Sequence, residues 1–242
     1  IEPSLVILAT GMTSRYGGLK QKDCFGPSGE TIIDYSIYDA IRAGFKKIIF
    51  IVKEDYYEDF KSRFDKKLNG KVETQYIFQD FDLSKFGIRK KIYREKPWET
   101  WHDLLCTMKK INEPFCIINA DDFYDYDSFI KILSFPKSKV ADDHFTLFGY
   151  QINKTLFDYG KVSRGICKVD SNGYLNRINE RTKVFKKNAE IVYEKNDEIF
   201  KIDNGGYGSM NFRGLTHLFL KIRLHFLRLS LMIINMIKKL NF

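Results

Sequence analysis

Short apolar runs alternate with stretches of helical period along the first two thirds of the chain. Leu5–Ala9 is continuously apolar and predicts a buried strand. Thr31–Ala43 sets Ile32, Ile33, Ile37, Ala40 and Ile41 along one side at helical spacing, and Gly44 supplies a stop. Lys47–Val52 holds an unbroken Ile-Ile-Phe-Ile run and predicts a second strand. Asp55–Lys66 reads as a charged surface helix, Lys71–Phe78 as a third strand, Trp98–Lys110 as a helix and Phe115–Asn119 as a fourth strand. Another helix and a strand near Phe145–Tyr150 follow. From Asp158 to Lys201 short runs such as Gly165–Val169 and Tyr174–Asn179, split by Ser171-Asn172-Gly173, predict hairpins.

Strands alternating with helices imply βαβ units. The expected fold is therefore α/β: a single Rossmann-like, mixed and mostly parallel sheet flanked by helices, with a β-rich insertion. Such sheets place ligands outside the carboxyl ends of their strands. The loops leaving two of those ends, Thr10–Gly18 and Ala120–Asp127, are also the most chemically loaded segments of the chain.

Composition narrows the class without naming an activity. With 242 residues, 44% hydrophobic and 29% charged, the chain is globular rather than disordered or fibrous. The net charge of +9 is unevenly placed, because residues 1–203 hold 34 of the 40 Lys and Arg and all 31 Asp and Glu. The excess belongs to the tail, so no nucleic acid partner is expected. Cys24, Cys106, Cys116 and Cys167 lie far apart, which fits neither a zinc site nor a disulfide framework and suits a reducing cytoplasm. The run Leu229–Ile237 is far short of the roughly 20 residues needed to span a bilayer, and the Ile-Glu-Pro start carries no signal-peptide pattern. A cytoplasmic protein is the expectation.

The first loop contains Gly11, Gly17 and Gly18, with Arg15 and Lys20 as cations. Such glycines let backbone N–H groups approach phosphate oxygens, although an ordinary glycine turn with two solvated cations has the same composition. It is neither a dinucleotide fingerprint nor a Walker-type loop. The second loop, Asn119-Ala-Asp-Asp-Phe-Tyr-Asp-Tyr-Asp127, places four carboxylates after an apolar strand. Hard oxygen ligands beside a phosphate loop suit Mg²⁺; a solvated loop or a helix cap is the competing reading. The pattern lacks the glycine and terminal glutamate of an EF-hand. His102 beside Asp103 reads as a structural or surface histidine, and Cys106 and Cys116 as core thiols.

The run Ala9-Thr-Gly-Met-Thr-Ser-Arg-Tyr-Gly-Gly-Leu-Lys-Gln21 resembles the opening motif of the sugar-phosphate nucleotidylyltransferases, Leu-Ala-Ala-Gly-x-Gly-x-Arg followed by a lysine. Further matches follow in order at Gly26-Pro-Ser-Gly-Glu30, Ile33–Ala40, Lys96-Pro-Trp98, Asn119–Tyr124, Val162–Cys167 and Ser209-Met-Asn-Phe212. The resemblance covers roughly residues 4–212. It implies the nucleotide-diphospho-sugar transferase type of fold and a nucleotidyltransferase domain over 1–212, in which 158–201 is a β-rich acceptor-side insertion.

What the resemblance implies about chemistry is specific. Arg15 and Lys20 would be the catalytic cations, and Ala9, Gly11, Gln79, Pro97 and Thr100 would bind the nucleotide. Asp121 would hold Mg²⁺ together with Asn211, with Asp122 in a supporting role. Gly160, Glu180 and Arg181 would face the acceptor. The partners would be a pyrimidine nucleoside triphosphate and a phosphorylated small-molecule acceptor, a sugar 1-phosphate by the resemblance. On residues alone, Gln79 reads equally as an exposed edge side chain, Asn211 as a turn cap and Glu180-Arg181 as a surface ion pair.

The chain departs from the family pattern in several places. Thr10 replaces Ala and Thr13 replaces Gly in the first loop; Glu99 stands where Gly is expected, and Trp101 and Asp103 where Ala is usual. Three bulkier residues in one base-binding segment would reshape or block the pocket. After Asn211 the resemblance fades into a basic, apolar tail, 213–242. Packing of its apolar face on the domain or a partner is favoured over a membrane-surface helix. A nucleotide-binding remnant without catalysis is thus the main alternative, and a nucleotide-sugar-dependent glycosyltransferase a weaker one. Nothing in the pattern fixes the oligomeric state.

Overall fold

The computed structural model describes residues 2–10, 26–79, 99–107, 110–139, 145–157 and 159–226; the side chains of 99–102 and 135–139 lie outside that description. The chain divides into two compact units, Ile1–Thr146 with Arg213–Phe242, and Leu147–Phe212.

The first unit is the parallel core. Strands β1 (Ser4–Leu8), β2 (Lys47–Val52), β3 (Glu73–Phe78) and β4 (Phe115–Asn119) stand in the order β3-β2-β1-β4, and all three pairings are parallel. Every residue of β1 is buried, as are five of the six in β2. Two-sided burial is why these strands read as continuous apolar runs rather than alternating ones. On the far side of β4, the end of β10 (Tyr207–Leu215) runs antiparallel, pairing Arg213 with Ile117 and Leu215 with Phe115.

Helices α1 (Ile32–Ala43), α2 (Tyr57–Leu68), α3 (Glu99–Thr107) and α4 (Tyr126–Lys139) complete this unit, with α5 over residues 217–226. Local chemistry sets their ends. Asp34 accepts the Thr31 N–H at 2.9 Å at the start of α1. At the other end Gly44 takes φ 113°, a left-handed turn that closes the helix and that a side chain would strain. Asp34 also accepts from Arg63 at 2.8 Å and Lys67 at 2.9 Å, which ties α1 to α2. Phe60 and Phe64 of α2 pack on Phe50 of β2, with ring centroids 5.3 and 5.2 Å away. Full burial of such a ring contributes roughly 2–3 kcal/mol. The start of the tail is part of this core, since Leu215 and Leu220 join Val6, Ile49 and Ile117 in one apolar cluster. Among the described residues no helix is long and apolar enough to cross a membrane.

The second unit is antiparallel. β6 (Val162–Val169), β7 (Leu175–Lys187), β8 (Glu190–Lys195) and β9 (Glu198–Ile202) form a meander, β6 pairs with the first half of β10, and β5 (Thr146–Gln151) pairs with β10 as well. The expected hairpins are there. Asn188-Ala189 and Asn196-Asp197 carry positive φ at both positions of two-residue turns, the geometry that matches strand twist. In the β6–β7 turn, Asp170 Oδ1 accepts the backbone N–H of Asn172 and of Tyr174, both at 2.9 Å.

Candidate active site

Strand register gathers the ends of β1, β2, β3 and β4. Leu8 pairs with Asn119 and with Ile51, and Phe78 with Val52. Backbone bonds carry the alignment one residue further: Ala9 N–H donates to Ile51 O at 3.0 Å, Gln79 N–H to Val52 O at 2.9 Å, and Ala120 N–H to Leu8 O at 3.1 Å. Ala9, Thr10, Lys53, Gln79, Ala120 and Asp121 therefore leave one edge of the sheet together. This is where an open α/β sheet receives a ligand.

A buried carboxylate organises one side of that edge. Asp103, on α3, is 4% exposed. Its Oδ2 accepts the Thr10 hydroxyl at 2.9 Å and its Oδ1 accepts the Gln79 amide at 2.5 Å. Burial pushes its carboxyl up to about 6, and the bonds from Thr10 and Gln79 and the charge of Lys53 limit the rise. Gln79 is itself only 8% exposed, so it is not an exposed edge side chain. Its Oε1 is buried and has no hydrogen-bond partner among the described residues.

The aspartates after β4 divide by role. Asp122 accepts the Asn119 side-chain amide at 2.8 Å and the Tyr124 hydroxyl at 3.5 Å, which fixes the turn. Asp125 caps α4, accepting the Ser128 N–H at 2.7 Å and the Ser128 hydroxyl at 2.8 Å. Asp127 lies in the first turn of that helix. Asp121 is half-buried and follows the strand end. The solvated-loop and cap readings thus hold for part of the segment.

The residues expected to face the acceptor belong to the second unit. Gly160 takes φ 109° ahead of β6. Glu180 pairs across the sheet with Gly165, and Arg181 with Arg164. As consecutive strand residues Glu180 and Arg181 face opposite sides of the sheet, rather than each other as a surface pair. Arg181 stacks its guanidinium over the Tyr193 ring at 4.6 Å. Asn211 adopts φ 65° within β10, and its N–H donates to Ser209 Oγ at 3.2 Å.

Gly11, Arg15, Lys20 and Pro97 lie outside the described residues; Thr100 is placed on α3 by its backbone alone. Cys116 is a buried thiol whose pKa burial raises, and Cys106 packs against the apolar cluster, as core thiols do. The sequence reading missed the partnership of Thr10, Gln79 and Asp103. The signal was present as two polar residues at positions where the family pattern has Ala.

A family model described as nucleotidyl transferase matches residues 5–195. The chain belongs to that family. The inositol-1-phosphate CTP transferase from T. maritima is similar in fold, with TM-score 0.56 and 14% identity over 91% of this chain and 73% of that one. A Bacillus anthracis protein assigned as a glucose-1-phosphate thymidylyltransferase gives TM-score 0.57 and 15% identity over 90% and 73% of the two chains. A UDP-glucose pyrophosphorylase complexed with UDP-glucose gives TM-score 0.51 and 16% identity over 92% and 79%. No curated protein matches the chain.

Proposed function

We propose that the chain is a nucleotidylyltransferase that joins the nucleoside monophosphate of a pyrimidine nucleoside triphosphate to a sugar 1-phosphate. The observation that carries this reading is the gathering of Ala9, Gln79 and Asp121 at one edge of the parallel sheet, where Gln79 Oε1 has no hydrogen-bond partner among the described residues. In the reaction an acceptor phosphate oxygen forms a bond to the α-phosphorus. The bond from that phosphorus to the bridging oxygen breaks, and pyrophosphate leaves with the electron pair. The attacking oxygen is already ionised, so positioning and charge stabilisation supply the catalysis. Arg15 and Lys20 would neutralise the leaving group, with Gly11 lending its backbone N–H and Ala9, Pro97 and Thr100 flanking the nucleotide. Gln79 would read the base through its amide; Gly160, Glu180 and Arg181 would hold the acceptor.

Asp121 offers a hard oxygen beside the strand end from which the glycine loop departs, a donor suited to Mg²⁺ shared with substrate phosphates. Asn211 would be the second ligand. When bound, the ion would add positive charge at the triphosphate.

The test is pyrophosphate release by the full chain with Mg²⁺, a sugar 1-phosphate panel, and UTP, dTTP or CTP. Release with one pair is expected, and Arg15→Ala and Asp121→Ala should each lower it at least about a thousandfold while the circular dichroism spectrum is kept. Wild-type-like turnover in either variant counts against the assignment. Thermal stabilisation by a nucleotide without any release would instead identify a binding remnant.

A further inference from the structure

Gln79 has an amide whose two ends have nearly the same shape, so its partners decide which end faces a ligand. An ionised carboxylate accepts hydrogen bonds and cannot donate one. Asp103 therefore draws the Gln79 NH2 group toward itself, and the Thr10 hydroxyl occupies the other carboxylate oxygen at 2.9 Å. Gln79 Oε1 is left as a buried acceptor without a partner among the described residues, in a side chain 8% exposed. A buried acceptor of this kind asks for an N–H. Uracil and thymine carry a hydrogen on the ring nitrogen between their two carbonyls. Cytosine carries a lone pair there and would face the Gln79 oxygen acceptor to acceptor.

We propose that Asp103 is a positioning residue for base selection: held by Thr10, it fixes the Gln79 amide with its nitrogen on the carboxylate and its oxygen as the remaining acceptor, and so selects a uridine or thymidine nucleotide over a cytidine nucleotide. The inference rests on the nucleotidyltransferase reading and adds to it a determinant at a position where the family pattern has Ala. Thr10 and Asp103, two departures separated by 93 residues, are then one device, because each supplies the other's hydrogen-bond partner. The carboxyl of Asp103, raised to about 6, is still mostly ionised above neutrality, as an acceptor-only partner must be.

Binding of UTP, dTTP and CTP to the full chain with Mg²⁺, measured by calorimetry, tests this. Wild type should favour UTP or dTTP over CTP by about tenfold or more, the scale of one base-edge contact. Asp103→Asn keeps the volume, yet an asparagine can satisfy Thr10 and Gln79 with the Gln79 amide in either orientation. Its preference should drop below about threefold, while affinity for inorganic tripolyphosphate stays unchanged. A merely structural residue would not move that ratio. An Asp103→Asn protein that keeps the wild-type preference overturns the proposal. A second measurement needs no variant: 3-methyluridine triphosphate, which lacks the ring N–H, should bind wild type about tenfold more weakly than UTP. Equal binding of the two overturns the proposal and leaves the nucleotidyltransferase reading standing. A wild type that binds none of these triphosphates overturns both.

Discussion

The parallel sheet of the first unit has a carboxylate at each end, and the protein treats the two in opposite ways. Where the strands begin, Glu113 accepts from the Ser4 hydroxyl at 2.5 Å and from Lys47 Nζ at 3.0 Å. Burial pulls its carboxyl up, but Ser4, its own backbone N–H and Lys47 together hold it down at about 2. Where the strands end, Asp103 is buried more deeply and its two direct donors, Thr10 and Gln79, are neutral; it stands at about 6. A directly bonded cation with shallow burial favours the charge, and deep burial with uncharged donors does not. Each shift corresponds to roughly 2–3 kcal/mol at neutral pH, with opposite signs. One end of the sheet contributes stability. The other gives some up to hold a charged group in place, which is the usual condition of a working site.

The largest expected effect comes from removing the disfavoured charge. Asp103→Asn should stabilise the protein by about 2 kcal/mol at pH 7.5, read from urea unfolding midpoints. The pH dependence gives the sign independently. A carboxyl whose folded pKa is raised binds its proton more tightly in the folded state. Its contribution therefore favours folding below the ordinary aspartate value and is lost as pH climbs through about 6. Wild type should fall relative to Asp103→Asn between roughly pH 4 and 6 and run parallel to it above. A constant gap across that window would break the contrast between the two ends.

Glu113→Gln probes the other end and should go the opposite way. It should cost about 2 kcal/mol at pH 7, because the charged form is the one Ser4 and Lys47 hold. A depressed carboxyl contributes stability above its unfolded value and loses it as pH falls through the folded value near 2. The deficit of Glu113→Gln should shrink from about pH 5 downward and close near pH 2. Unfolding curves collected over that range check it.

Much of this frame was legible in the sequence, and the reason is burial on two faces. Leu5–Ala9, Ile48–Val52 and Phe115–Ile118 are uninterrupted apolar runs, and the strands lie at Ser4–Leu8, Lys47–Val52 and Phe115–Asn119. The helix expected over Thr31–Ala43 with a stop at Gly44 begins at Ile32 and ends at Ala43. The charged helix expected over Asp55–Lys66 starts with a 3-10 turn, Glu54–Tyr56, and continues to Leu68, since Phe60, Phe64 and Leu68 share its buried side. The β-rich region starts at Val162 and its second strand extends to Lys187, well past the expected Asn179. Alternation there is weak, since most of that strand is exposed. The positions of Asp121 and Gln79 just past the ends of strands were legible. The partnership of Asp103 was not. A hydrogen bond between residues 10 and 103 is set by strand register and helix placement, and no local periodicity encodes it. Read locally, Asp103 looked like an obstruction; in the fold it is a buried, doubly bonded group.

The smallest effect is the most discriminating. Thr10→Ala removes one neutral donor from Asp103 and leaves the Gln79 bond in place. A hydrogen bond to a charged partner is worth more than one to a neutral partner, so the loss depends on whether Asp103 is ionised. Thr10→Ala should cost about 1 kcal/mol at pH 7.5 and less near pH 4, where the folded carboxyl is protonated. The same logic requires the carboxyl of Asp103 to rise further in the variant, because one of the bonds limiting its rise is gone. In the Asp103→Asn background the substitution should lose its pH dependence altogether, since no titrating partner remains. A double-mutant cycle run at both pH values reads this coupling directly. Coupling that is the same at both pH values would mean that the Thr10 hydroxyl supports packing rather than the charge. The end of the sheet would then differ from its beginning only in depth of burial.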